Sequence, residues 1–284
     1  MNNLLLREKI ADSKRIPSLP RQAQQLLQAF NNQDLDYGDL ARIISRQPTI
    51  AVRLVALANS AWAAPAVPVN SLERACINLG FKVVRSVSIG LALISPFNTW
   101  ACPAFDIRRF WMSSKLVADA SALLASAMPD QPQQAFLQVL YTGGLMHNLG
   151  LICLADLMPE ETNQALSNLA SQPQLTVNQA LENTLQTNYC EVGGLFAEIW
   201  GLPDDLTAII KFHRSTDYPE NHAELIALIS DAAMLVSTLF SDQPELPITL
   251  ATKKLGIKDT DHQEILENLQ PLFLQTNELA KALF

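Results

Sequence analysis

The sequence predicts an all-α protein built as two packed helical lobes. Apolar residues recur at helical spacing along most of the chain, and the strict alternation of a half-buried strand is almost absent. Proline and glycine punctuate the sequence at intervals that suit helices of roughly 8 to 20 residues.

Taken in order, Pro20 can open a first helix that carries Leu26, Leu27 and Phe30. Asp36 is a candidate cap for a second, with Leu40, Ile43 and Ile44 on one face. Pro48 suits the first turn of a third, where its missing N–H has no partner to lose. That helix runs to about Asn59 and places Ile50, Leu54, Leu57 and Ala58 inward. Pro65 and Pro68 make Trp62 to Val69 a loop. Ser71 caps a fourth helix that stops at Gly80, and Phe81 to Ile94 forms a fifth. Pro96 to Pro103 breaks the pattern and marks the expected boundary. Beyond it come a helix from Phe105 to Ala127 and a long apolar helix spanning His147. Further helices lie between Pro159, Pro173, Gly201-Leu202-Pro203, Pro219 and Pro244, the last of them running from Glu224 to Phe240. The expected organisation is a small bundle over 1–97, a second helical lobe over 98–245 and a C-terminal helical extension over 246–284.

Composition narrows the function classes. At 284 residues the chain can bury roughly three quarters of its unfolded surface, so it needs neither metal nor disulfide merely to fold. The formal charge of −8 repels phosphate polymers and argues against broad nucleic-acid binding. Lys82 with Arg85, and Arg108 with Arg109, read as solvated faces. A helix-turn-helix over Asp39 to Asn59 is disfavoured because its second helix is too apolar to aim polar groups at base edges. Four cysteines, at 76, 102, 153 and 190, form no CxxC pair and suit a reducing cytoplasm. The opening residues Met1 to Arg7 carry no signal-peptide pattern. Ala135 to Met158 is apolar enough to raise the question of a membrane span, yet it holds Gln138, His147, Asn148 and Asp156 and lacks basic flanks, so a buried core helix is expected. No Gly-rich phosphate loop, GxSxG elbow or Cys-His nucleophile pair is present.

The most informative stretch is Gly144-Leu145-Met146-His147-Asn148-Leu149-Gly150. With Gln47 to Ala61, Ser71-Leu72-Glu73-Arg74-Ala75, Leu79-Gly80-Phe81, and Gly193-Gly194-Leu195 leading to Trp200-Gly201-Leu202-Pro203, it resembles the HDOD domain family over roughly residues 15 to 240. HDOD domains are similar to HD-type metal-dependent phosphohydrolases but typically lack part of the metal site. The resemblance implies an HD-like helical core and a bacterial signal-transduction role, often near second-messenger turnover.

Mapped residue by residue, the resemblance matches His147 to the first member of the His-Asp pair, with Asn148 in place of the aspartate. Ser113 is the expected equivalent of an upstream histidine, and Tyr189 with Cys190 stands where another would fall. His213 and Asp231 match a later histidine and the final aspartate. HD hydrolysis relies on a metal that lowers the pKa of bound water to about 7. Asparagine offers no negative charge, so the pocket of Ser113, His147, Asn148, Tyr189, His213 and Asp231 has too few anions for that chemistry. No cofactor is therefore expected, although His147, His213 and Asp231 could in principle hold one divalent ion.

Read as structure alone, His147 is a core histidine bonded to Asp231 or a backbone carbonyl. His213 is expected near solvent, and His222 and His262 at the surface. The resulting expectation is a non-catalytic module that binds a signalling protein, through the groove between lobes or through Trp62 and the Ala63 to Pro68 loop. The rival expectations are a phosphohydrolase with a reduced site and a small-molecule receptor with a ligand between His147 and Asp231.

Overall fold

A computed structural model describes residues 17–30, 35–172, 175–241 and 250–284. All regular structure among these residues is helical. Met1 to Arg7 and the expected start of the C-terminal segment at Leu246 lie outside them. The described residues divide into two compact units, a larger one centred on 97–270 and a smaller one of 19–96 with 271–284.

The smaller unit contains α1 (Arg21–Phe30), α2 (Tyr37–Ser45), α3 (Pro48–Ala58), α4 (Leu72–Leu79) and α5 (Phe81–Ile94). Asp36 caps α2 by accepting the Asp39 N–H at 2.7 Å, Pro48 occupies the first turn of α3, and Ser71 caps α4. Between α4 and α5 the chain turns through 114° at Gly80, whose φ of +76° would strain any residue with a Cβ. The core is apolar: Leu26, Phe30, Leu40, Ile44, Leu54, Leu57 and Ile89 are fully buried. Asn59 pins the loop after α3, donating to the Val69 carbonyl at 2.7 Å and accepting its N–H at 2.8 Å. On that loop Trp62 is half-buried and Val67 is exposed.

The larger unit holds α6 (Ile107–Ser126), α7 (Gln134–Met146), α8 (Leu149–Leu157), α9 (Pro159–Ser171), α10 (Val177–Leu185), α11 (Tyr189–Ile199), α12 (Asp204–Phe212), a short 3₁₀ turn (Glu220–His222), α13 (Ala223–Leu239) and α14 (Leu250–Lys253). Helix α6 packs between α7 and α13, and α11 packs against α8 and α12. Asp106 caps α6 through the N–H groups of Arg108 and Arg109. The last helix, α15 (Asp259–Leu283), contains Pro271, and the unit boundary falls between Gln270 and Pro271. The expected C-terminal extension is thus shared between the units rather than standing apart.

The long apolar helix expected around His147 is two helices. α7 ends at Met146, His147 is its C-cap and Asn148 is the N-cap of α8. Two stretches, Gln134–Leu157 and Glu220–Leu239, are long and apolar enough to cross a membrane by length and composition, but 78% and 56% of their apolar windows are buried within the protein itself. Their apolar character is used in the core of the larger unit.

Candidate functional site

Close helix approach builds the site. A Cβ added to Gly150 on α8 would sit 1.9 Å from the Tyr189 carbonyl and 2.4 Å from the Gly193 nitrogen on α11. At Gly144 on α7 it would sit 2.5 Å from the Ala118 Cα on α6. These contacts are backbone to backbone, so only glycine lets α6, α7, α8 and α11 converge on the His147–Asn148 corner.

His147 and His213 are buried, with ring centroids 5.2 Å apart and planes at 85°. In His147, Nδ1 donates to the Gly144 carbonyl at 2.8 Å. In His213, Nδ1 faces the carbonyls of Ile209 and Ile210 at 3.0 and 3.2 Å. Since a carbonyl only accepts, each Nδ1 bears the proton and each Nε2 is left with a lone pair. The Tyr189 hydroxyl lies 3.3 Å from His213 Nε2 and donates to it, while Arg214 Nε donates to the Tyr189 oxygen at 3.5 Å. A polarised chain therefore runs from Arg214 through Tyr189 and His213 to the α12 backbone.

Both imidazoles are held neutral. Burial, supplemented by the Arg214 charge, lowers the pKa of His147 to about 4. Burial, followed by the repulsion of His147 and Arg214, lowers that of His213 well below the usual range. Burial likewise raises the Tyr189 phenol, and raises the Cys190 thiol to about 11.

Asn148 uses both ends of its amide. Its Oδ1 accepts from Ser114 Oγ at 2.9 Å and its Nδ2 donates to the Phe110 carbonyl at 3.2 Å. The serine that meets Asn148 is Ser114. Ser113, the residue singled out from sequence, is half-buried on α6 and makes no side-chain hydrogen bond to the site among the described residues. An aspartate at 148 would bring a carboxylate against the Phe110 carbonyl, with nothing to donate while ionised.

Asp231 is engaged elsewhere. Its Oδ2 accepts from Thr252 Oγ1 and lies 3.0 Å from His262 Nε2, while its Oδ1 is buried without a hydrogen-bond partner among the described residues. His262 Nδ1 faces the Lys258 carbonyl at 2.9 Å, so both ring nitrogens meet acceptors. The hydrogen bond to Asp231 accordingly raises the His262 pKa. No hydrogen bond joins Asp231 to His147 or His213 among the described residues.

Three expectations are corrected here. His213 is fully buried rather than near solvent, because its lone pair has Tyr189 and its N–H has the α12 carbonyls. His262 is buried rather than at the surface, because it pairs with Asp231. His222 is largely covered and lies 2.9 Å from Asp205. Ser114, Arg214, Thr252 and His262 join the network without having been assigned to it from sequence.

The donor set does not fit the metal centre of an HD hydrolase. Among the described residues no group of three His, Cys, Asp or Glu side chains is placed to hold an ion. The His213 lone pair is taken by Tyr189, the Asn148 oxygen by Ser114, and the Arg214 cation stands beside both imidazoles. A cation would have to displace these partners against a fixed positive charge. A separate polar cleft of about 380 Å³, lined by Gln164, Asn168, Asn183 and Thr184 among others, includes none of the candidate residues.

Comparison with known proteins bears on the family and the fold. The chain is 24% identical over 243 residues to an uncharacterized protein of Treponema pallidum (strain Nichols), covering 81% of this chain and 44% of the relative, so it spans under half of that protein's length. A solved structure from Marinobacter aquaeolei VT8, named "putative signal transduction protein", is 25% identical with a TM-score of 0.79, over 94% of this chain and 59% of that one. An HDOD domain protein of unknown function from Geobacter sulfurreducens is 23% identical with a TM-score of 0.75, over 99% and 98%. A Shewanella amazonensis SB2B protein named "putative phosphohydrolase" shares the fold, at 22% identity and a TM-score of 0.68, over 100% and 98%. The HDOD domain profile matches residues 16–216, and the chain belongs to the HDOD family.

Proposed function

We propose that the protein is a non-catalytic regulatory module that works by binding another protein, on an HD-type fold whose metal site has been converted into an internal hydrogen-bond network. One observation carries this reading. Asn148, in the position of the catalytic aspartate, has its oxygen and its nitrogen both committed to α6, through Ser114 and the Phe110 carbonyl. The neutral state of His147 and His213 beside Arg214 supports it, since the charge needed to hold a dication is replaced by a charge that repels one. The name of the similar Marinobacter protein points to signal transduction, and second-messenger turnover proteins are the first partners to try. Four buried free thiols support a reducing compartment such as the cytoplasm.

Metal analysis of the purified protein, run beside a panel of phosphomonoesters, phosphodiesters and cyclic dinucleotides, tests the proposal. The expected outcome is far less than one metal per chain and no turnover above buffer. Stoichiometric metal, with turnover abolished in His147→Ala, would overturn it.

A further inference from the structure

The larger unit carries an apolar surface set in an unusually acidic stretch of chain. Trp100 is 93% exposed and Ile199 is 46% exposed. Phe97 links the loop of Trp100 to the end of the helix that carries Ile199. Phe97, three residues before Trp100, stacks against Phe196 and Trp200 at centroid distances of 6.2 Å, and these two rings flank Ile199 on the end of α11. The Trp100 loop is tied down rather than loose. Asn98 N–H donates to Asp156 at 3.3 Å, Trp100 N–H to Asn98 Oδ1 at 3.3 Å, and Ala104 N–H to Asn163 at 2.8 Å. Those ties set the loop against the α8–α9 corner, whose carboxylates are Asp156, Glu160 and Glu161. At the Ile199 end Glu198 is already paired with Lys211 at 2.7 Å, so the acidic character of the surface lies on the Trp100 side, at Asp156, Glu160 and Glu161.

An indole that stays in water while the backbone of its loop is fixed by three hydrogen bonds gains nothing for the fold. Large exposed aromatics of this kind are the usual anchors of interfaces. The surrounding charge selects the partner. Nucleic acid and anionic lipid surfaces are repelled, whereas Lys and Arg gain both from the carboxylates and from the indole face.

We propose that Trp100 and Ile199, rimmed by Asp156, Glu160 and Glu161, form a docking surface for a basic amphipathic helix of a partner protein. The partner's apolar face covers the indole and its Lys or Arg side chains meet the carboxylates. This inference rests on the protein-binding reading above, but it fails separately: metal and turnover decide that reading, and the surface at Trp100 decides this one.

The test titrates the 284-residue chain with an 18-residue helical peptide of Lys and Leu at helical spacing, and with its Glu/Leu counterpart. The indole signal of Trp100 is read as the emission difference between wild type and Trp100→Phe. The expected result is saturable binding of the Lys/Leu peptide with a blue shift of the Trp100 emission, and no binding of the Glu/Leu peptide. Trp100→Ala should weaken binding by at least about 10-fold, as for an interface anchor. The double variant Glu160→Gln, Glu161→Gln should weaken it by about 3- to 10-fold and flatten its salt dependence. The assignment is overturned by equal affinity for both peptides, by affinity unchanged in Trp100→Ala, or by no binding. It is equally overturned if Trp100 emission shifts with protein concentration alone, since a second copy then covers the surface.

Discussion

Two buried histidine clusters in the larger unit are pushed in opposite directions, the pKa of His147 and His213 downward and that of His262 upward. His147 and His213 each spend one N–H on a backbone carbonyl and keep the other nitrogen as an acceptor. His262 also spends Nδ1 on a carbonyl, but its second nitrogen faces the carboxylate of Asp231. The first pair is pushed toward the neutral form and the third histidine toward the charged form. Burial disfavours the charged form in all three, less so in His262, and there the hydrogen bond to Asp231 outweighs it. An HD metal site would need neutral imidazoles and ionised carboxylates together. This chain keeps both kinds of group but sets them in separate networks, and the carboxylate is answered by protons from Thr252 and His262.

The comparison can be broken most severely at Gly150. Alanine there places a Cβ 1.9 Å from the Tyr189 carbonyl, so α8 and α11 must separate and Tyr189 must leave His213. The expected cost is more than about 5 kcal/mol, in the range of overpacking compounded by lost buried hydrogen bonds. Urea unfolding measures the loss. In any folded fraction, imidazole NMR should show the His213 resonance displaced while that of His262, which lies in the other network, keeps its position. A wild-type midpoint for Gly150→Ala would mean that the close approach of α8 and α11 is not required.

A smaller change places at position 148 the aspartate of the HD-type His-Asp pair. Asn148→Asp puts a carboxylate where an amide donates to the Phe110 carbonyl, in a buried site with no cation bonded to it. We expect a loss of roughly 3 to 5 kcal/mol near neutral pH, the usual cost of an uncompensated buried charge. Acid should shrink the loss, because the protonated carboxyl regains a donor for the Phe110 carbonyl. Parallel urea titrations at pH 5 and pH 8 measure this. A variant as stable as wild type that also binds zinc tightly would show that the site needs only one charge to recover its metal.

Much of this architecture was legible in the sequence. Asp36, Pro48, Ser71 and Gly80 announce the ends of α2 to α5, because caps and breakers act within a turn or two of themselves. Gly144 and Gly150 announce close packing, and Asn148 announces the missing charge. The helix break at His147–Asn148 was not legible, since the flanking residues are apolar on both sides and periodicity runs straight through it. Ser113 and Ser114 are adjacent, and only the rotation of α6 about its axis decides which one faces Asn148. His262 looked like a surface residue because its neighbours in sequence are Asp261, Gln263 and Glu264. Its partner Asp231 lies 31 positions away, a distance at which local pattern carries no information. Arg214 was visible beside His213, but its role depends on Tyr189, 25 residues upstream.

The gentlest test of the comparison is pH, where the two networks should act with opposite sign. For His147 the folded pKa, about 4, lies below the unfolded value near 6.5, so the folded state binds fewer protons. Its contribution is complete above pH 6.5 and is lost as pH falls toward 4, to a limit of about 3 kcal/mol. His213 adds a loss in the same direction. For His262 the folded pKa is raised, so its contribution is complete below the unfolded pKa and is lost as pH climbs through the folded one. Stability measured by urea unfolding from pH 4.5 to pH 8.5 should therefore fall on both sides of a maximum. His147→Gln should flatten the acid limb and leave the alkaline one, and His262→Gln should do the reverse. If His147→Gln instead flattens the alkaline limb, its imidazole is charged in the folded protein, and the repulsion a cation would meet at this site comes from His147 as much as from Arg214.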